Sequence, residues 1–139
     1  MAAVYFADTF WWIAVANPKD TWHARVLAWA TGHPNIRLVT TEEILSELLT
    51  WFAGTGPGGR AHVSAMVRSI LSDPTVQVLP QTSADFAAAL ALYEARPDKG
   101  CSLTDCRSML ALHALGIADV LRNDRHFTQE GFTILFPGP

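Results

Sequence analysis

DKGCSLTDCRSMLALHALGIADVLRNDRHFTQEGFTILF, residues 98–136, carries the pattern that decides the fold. RPDKG at 96–100 is a break rich in turn formers. Ser102 or Thr104 then caps a helix that runs through SMLALHAL to Gly116. IADVL, residues 117–121, is an apolar run with the length of a buried strand. Asn123–Phe127 is a loop, and FTILF, residues 132–136, is a further strand. Two apolar strands following a helix read as part of a sheet that is covered on both faces.

The same alternation continues upstream. AVYFA, residues 3–7, is an apolar strand that stops at Asp8. Asp8 or Thr9 caps a short helix through FWWIAVA, which Asn17-Pro18 ends. A second helix is expected over 20–31, with Trp22, Val26 and Trp29 spaced for one face. Gly32, Pro34 and Asn35 turn the chain into IRLV, a strand at 36–39. Thr40 and Glu43 have the spacing of a capping box and open a helix through ILSELLTWF. GTGPGG, residues 54–59, reads as a helix-to-helix linker, because it lacks the strand and Lys-Ser/Thr of a phosphate-binding loop. Residues 60–72 form the next helix, closed by Asp73-Pro74. VQVLP is a third strand, and TSADFAAALALYEA is a helix favoured by its alanines and leucines. This order predicts an α/β fold with a central, mainly parallel sheet of about five strands flanked by helices. A single domain over 1–139 is expected from the length.

Sites in such folds form beyond the carboxyl ends of the strands. Asp8 ends the first strand, Asp105 opens the helix before the fourth, and Asp124 lies just past the fourth. Glu47 lies inside the helix after the second strand. All four can reach one edge of the sheet, whereas Asp119 starts a strand and belongs at the opposite end. Each also has a plainer reading. Asp8 and Asp124 suit caps or turns, and Asp105 suits a helix N-terminus. Glu42 and Glu43 read best as helix-start charges. Glu47 is harder to dismiss, because apolar neighbours surround it on the helix and a part-buried carboxylate needs a partner. Converging carboxylates repel one another without a counter-ion. Oxygen-only ligands suit Mg²⁺ or Mn²⁺, one or two ions, better than zinc. The chemistry that follows is phosphodiester hydrolysis.

Half of the residues are apolar, which excludes a disordered chain, and the net charge of -3 gives no general affinity for polyanions. Cys101 and Cys106 read as ordinary reduced thiols rather than a disulfide framework. The five histidines show no metal-ligand spacing, and His126 is the one placed for substrate contact. The apolar N-terminal run is interrupted by Asp8 and lacks a basic leader, so a cytoplasmic protein without a membrane span is expected. Arg96, Lys99, Arg107, Arg122 and Arg125 cluster near the acidic segments, where phosphate contacts or plain solvated surface are both open readings. Arg60 and Arg68 suit a solvated helix face. The five tryptophans suit core packing, with a dimer face, a partner groove or base stacking as alternatives for some.

VYFADTFWWIA, VTTEEILSELLTWF, DKGCSLTDCRSMLAL and IADVLRNDRHFTQEGFTIL together resemble the PIN domain family, particularly its toxin ribonucleases of VapC type. Asp8, Glu47, Asp105 and Asp124 match the family's four acidic positions, and Asp98 matches an accessory one. Ser102 and Thr104 match its small hydroxyl positions. With Arg107, Arg122 and Arg125 they are the candidates for substrate contact. The resemblance implies a PIN-like, Rossmann-like three-layer fold, Mg²⁺ or Mn²⁺ dependence and endonucleolytic cutting of RNA. For toxin members it also implies a homodimer and a small antitoxin partner. Other readings are a non-toxin RNA-processing or DNA-directed nuclease, and a nucleic-acid-binding protein without strong turnover. One place departs from the family, which usually carries Thr or a similar small residue two positions before the last acid. Here it is Arg122, which either contacts phosphate or pairs with Asp124 and crowds the ion.

Overall fold

The computed structural model describes residues 2–97 and 100–138. In chain order the elements are β1 (Ala3–Ala7), α1 (Thr9–Ala16), α2 (His23–Thr31), β2 (Ile36–Thr41), α3 (Glu42–Trp51) and α4 (Gly56–Ser72). There follow β3 (Val76–Leu79), α5 (Ser83–Ala95), α6 (Leu103–Leu115), β4 (Asp119–Leu121), a 3₁₀ turn (His126–Glu130) and β5 (Thr133–Ile134). The strands form one sheet in the order β3-β2-β1-β4-β5, and every pairing is parallel. The mainly parallel five-stranded sheet expected from the sequence is therefore present.

Chain order reverses between β1 and β4. The connections β1→β2→β3 step one way along the sheet, and β3→β4 returns past β1 to its other side. Right-handed crossovers then put α1–α4 on one face and α5–α6 on the other. Phe6, Val39, Val120 and Leu121 are buried in the sheet, and Ile44, Leu48, Met109 and Leu112 pack from the helices. Trp11, Trp22 and Trp29 gather around Phe136 in edge-on and tilted contacts, so these three are packing residues.

Local corrections follow from hydrogen bonding. Helix α2 begins at His23 rather than at residue 20, because the Asp20 carboxylate accepts from Trp22 N–H at 2.8 Å and holds a turn there. Helix α4 begins at Gly56, inside the expected linker, because Pro57 in its first turn needs no hydrogen-bond partner. The cap of α3 is Thr41, whose hydroxyl accepts from Ile44 N–H at 3.1 Å. Thr40 is buried instead and donates to the Ala7 carbonyl at 2.9 Å. No helix among the described residues is long and apolar enough to cross a membrane.

Candidate active site

The crevice where strand order reverses is where α/β sheets place their sites. Asp8 follows β1 there, and Arg122 and Asp124 follow β4. Asp8 N–H reaches the Leu121 carbonyl at 3.4 Å, so the two strand ends are tied together. Asp8 sits at the N-cap position of α1, yet its side chain makes no capping bond. Its carboxylate is left for other use. Asp105 is brought to the same point by α6, whose first turn is a capping box. Ser102 Oγ accepts from Asp105 N–H, and Asp105 Oδ2 accepts from Ser102 N–H, both at 3.1 Å.

Arg122 joins these acids. Its Nη1 donates to Asp8 Oδ2 and to Asp105 Oδ1, each at 2.8 Å, and its Nη2 donates to Asp124 Oδ2 at 2.5 Å. The guanidinium is 5 % exposed and lies 4.2 Å above the Phe127 ring. Arginine is suited to this because its planar fork serves several oxygens at once and stacks on an aromatic face. Arg122 Nε is buried and has no hydrogen-bond partner among the described residues, so the group is held by its two terminal nitrogens. Asp124 Oδ1 accepts from His126 N–H at 3.0 Å.

Glu47 stands beside this cluster, half-buried as its helix pattern implied. Its Oε1 accepts from the Thr9 hydroxyl at 2.5 Å. Its charge is felt at Asp8. The four acids thus meet at one edge of the sheet, three on a shared guanidinium and one on a hydroxyl.

Burial pushes the Asp8 carboxyl up to about 6, against the Arg122 charge that lowers it, while Asp105 and Glu47 add to the rise. Burial also acts to raise Asp124, but the bonds from Arg122 and the His126 backbone outweigh it and hold Asp124 below the usual range. Desolvation works against the Arg122 charge. The surrounding Asp8, Asp105 and Asp124 overcome it and lift Arg122 further above its ordinary value. Arg122 is therefore a permanent cation, and burial works against ionisation of Asp8.

This geometry tests the fit of a divalent ion. Three carboxylates already converge on one positive group, so the donor chemistry suits a hard cation. The guanidinium holds that position, however. An ion among these carboxylates would need Arg122 to leave and the oxygens to draw closer than they stand around the guanidinium. The crowding that Arg122 raised as an expectation is thus present, and it extends to Asp8 and Asp105 as well as Asp124. Among the described residues, the His, Cys, Asp and Glu side chains with ligand atoms within 4.8 Å of one another are Cys101, Asp105 and His126, a set that could hold a metal ion. Sequence spacing missed this group. Cys101 and His126 lie far apart in the chain, and only the α6 cap and the loop after β4 bring them together.

The remaining candidates divide. Arg107 is buried and spent on the fold, donating to Glu43 Oε2 at 2.9 Å and to the Pro80 carbonyl at 3.2 Å, with Asp85 at 3.4 Å. The substrate role considered for it gives way to this tie between α3, α5 and α6. Glu43 and Glu42 are likewise structural, since Glu42 Oε1 accepts from Gln81 N–H at 2.7 Å. Ser102 is the α6 cap. Arg96 pairs with Glu130, and Arg60 donates to the Ala53 carbonyl. Arg125 is exposed beside Asp124. Asp98 and Lys99 lie outside the described residues. An open groove of about 570 Å³, lined by Thr9, Glu43, Ser46, Thr50, Trp51, Gln81 and Thr104, includes Glu47 of the four acids. Trp51 is half exposed on its wall, unlike the packed tryptophans.

No family model matches the sequence, and no curated protein sequence matches it. Among solved structures, the crystal structure of VapC20 from Mycobacterium tuberculosis, a toxin that cleaves the sarcin–ricin loop, is similar to the chain. The TM-score is 0.81 at 23% sequence identity, over 96% of this chain and 99% of that one. The three-layer parallel sheet, the order reversal at β1 and β4, and this likeness over nearly the whole length agree: the chain has the PIN-like fold of the VapC20 toxin structure.

Proposed function

We propose that the chain is a metal-dependent endoribonuclease that hydrolyses RNA phosphodiester bonds as the toxin of a toxin–antitoxin pair. The observation that carries this reading is the convergence of Asp8, Asp105 and Asp124 on one cation, with Glu47 alongside, at the order reversal of a parallel sheet. Asp8, Asp105, Asp124 and Glu47 are the residues that would hold Mg²⁺ or Mn²⁺. When bound, such an ion supplies an activated water and neutralises charge on the phosphoryl oxygens. The protein's own groups do the rest. Thr9 fixes the Glu47 carboxylate by its 2.5 Å bond, and the α6 capping box fixes Asp105. Arg122, released from the acids, faces an incoming phosphate with a fork suited to bidentate contact. Exposed Arg125 adds a second positive group at the same edge. The groove past Thr104 and Trp51 receives the neighbouring nucleotides, with Trp51 as a stacking surface.

The structurally similar toxin's substrate makes a sarcin–ricin loop RNA the first target to test here. Purified protein is incubated with such an RNA and with a mixed structured pool, in Mg²⁺, Mn²⁺ or chelator, beside Asp8→Asn. Discrete cuts that need both metal and Asp8 are expected. Equal cutting by parent and variant would remove the site assignment. One observation favours a second reading. Arg122 occupies the cation position, and a fold kept for nucleic-acid binding with little turnover would look the same. RNA binding without cleavage in any of these conditions supports that alternative.

A homodimer is proposed on Phe86, Leu90 and Tyr93, which leave an exposed apolar stripe along α5. A monomer by light scattering at micromolar concentration argues against it. A small antitoxin is proposed to cover the acid edge. Co-purification with the product of an adjacent short reading frame tests this. Action in the cytoplasm is part of the same proposal, and cell fractionation checks it.

A further inference from the structure

Cys101, Asp105 and His126 form a cluster that the nuclease reading does not use as a unit. Their ligand atoms lie within 4.8 Å of one another. They come from three places in the fold: the segment before α6, its first turn, and the 3₁₀ turn after β4. Two further features prepare the geometry. Gly100 adopts the left-handed φ of +67°, a conformation that other residues rarely take. A methyl group placed on it would lie 3.9 Å from His126 Nε2. Asp124 fixes the backbone at His126 and leaves a carboxylate near the ring. Its Oδ1 accepts from the His126 backbone N–H at 3.0 Å and lies 3.6 Å from Nδ1. Asp105 keeps free acceptor capacity, since Arg122 and Ser102 N–H use two of a carboxylate's roughly four lone-pair sites.

Sulfur, imidazole and one carboxylate make a borderline-soft donor set. It differs in kind from the oxygen-only set of the four acids. We infer that Cys101, Asp105 and His126 form a site for a thiophilic divalent cation of the Zn²⁺ class, and that its occupation withdraws Asp105 from the nuclease centre. On binding, the Cys101 thiol releases its proton to solvent and the thiolate takes the metal. The excess of carboxylates over the one guanidinium favours the arriving cation, whereas burial and Asp105 hold the Cys101 thiol above its ordinary range, so the metal itself drives the loss of that proton. The binding part stands on the cluster alone, and the inhibition part rests on the nuclease reading.

Co²⁺ is the probe, because a thiolate ligand gives it a charge-transfer band that oxygen ligands do not. The full-length, chelator-treated protein is titrated with CoCl₂, and Zn²⁺ is then added in competition. The parent is expected to show the band with one equivalent bound, and Zn²⁺ to bleach it. Cys101→Ser should abolish it. His126→Ala should weaken Co²⁺ binding about tenfold or more while leaving the band. Cys106→Ser should leave both unchanged, since that thiol is buried in the α6 packing. No band in the parent, a band lost with Cys106 instead of Cys101, or His126→Ala binding as tightly as the parent would overturn the site. For the inhibition part, Zn²⁺ is titrated into the RNA cleavage assay, each protein being compared with its own rate in Mg²⁺ alone. Zn²⁺ inhibition should be at least about tenfold weaker in Cys101→Ser. Equal inhibition of both proteins overturns the competition. A protein that cleaves no RNA overturns the inhibition part along with the nuclease reading, and the Co²⁺ spectrum alone then decides the site.

Discussion

Replacing Arg122 with Thr, the type of residue the resembling family carries there, tests whether the guanidinium holds the cation position. The change removes bonds of 2.8, 2.8 and 2.5 Å to Asp8, Asp105 and Asp124 and the stack on Phe127. Truncating one partner of a buried ion pair costs about 3–5 kcal/mol, because the remaining charges are left unpaired. For a domain of this size that corresponds to a drop in Tm of about 10–20 °C without metal. Protonation of Asp8, already eased by burial, would recover part of the loss at lower pH. In the variant the acids lack their internal cation, so a divalent ion becomes the partner. Mn²⁺ at about 100 times its Kd then restores about 2.7 kcal/mol. Thermal melts of parent and Arg122→Thr, in chelator and across an Mn²⁺ titration, make the measurement. The variant should be the less stable in chelator and should gain more from Mn²⁺ than the parent. A variant as stable as the parent in chelator, or equal Mn²⁺ stabilisation of both proteins, would refute the idea that Arg122 and the metal compete for one position. Arg122→Lys should resemble Thr more than Arg in chelator, because an ammonium cannot span three carboxylates in the same way.

Three further outcomes are expected. Trp51→Ala should raise KM for RNA about tenfold with little change in kcat, since stacking of one base is worth about 1–3 kcal/mol. An unchanged KM would remove Trp51 from the substrate path. The Asp8 carboxyl stands at about 6 in the folded protein against 3.8 ordinarily, so its stabilising contribution is full below the ordinary value and is lost as pH rises through about 6. Urea denaturation in chelator should therefore show the parent losing about 3 kcal/mol relative to Asp8→Asn between about pH 4 and pH 7, and parallel pH profiles would contradict the assignment. Arg107→Met should destabilise the protein by about 3 kcal/mol while leaving RNA affinity unchanged. Weaker RNA binding with undiminished stability would return Arg107 to the substrate side.

The residues whose meaning depends on local pattern were legible in the chain itself. Short apolar runs ending at Asp8 and Leu121 named the central strands, and the strand–helix alternation implied a parallel sheet. From that alone, Asp8 and Asp124 had to lie at one edge, because side chains just past the carboxyl ends of parallel strands share a side of the sheet, and Asp105 joins them because a helix leading into a parallel strand begins at that same edge. Glu47 was betrayed by its apolar neighbours on α3. Capping and turn geometry was legible only to within a few residues. Thr40 and Thr41 offer the same hydroxyl, and which one caps α3 depends on which the sheet buries.

Tertiary structure alone decided where the cations go. Arg107 and Arg122 are alike in sequence, both basic and both near an acidic motif. Arg107 is drawn inward by Glu43 and Asp85, which α3 and α5 carry from distant parts of the chain. Arg122 is drawn to three acids from β1, α6 and its own loop. Cys101 and His126 came within 4.8 Å of Asp105 in the same way. Backbone periodicity is a local property and can be read along the chain. A charge takes its partner from whatever the fold brings within a few ångströms, and that is set by packing between segments remote in sequence.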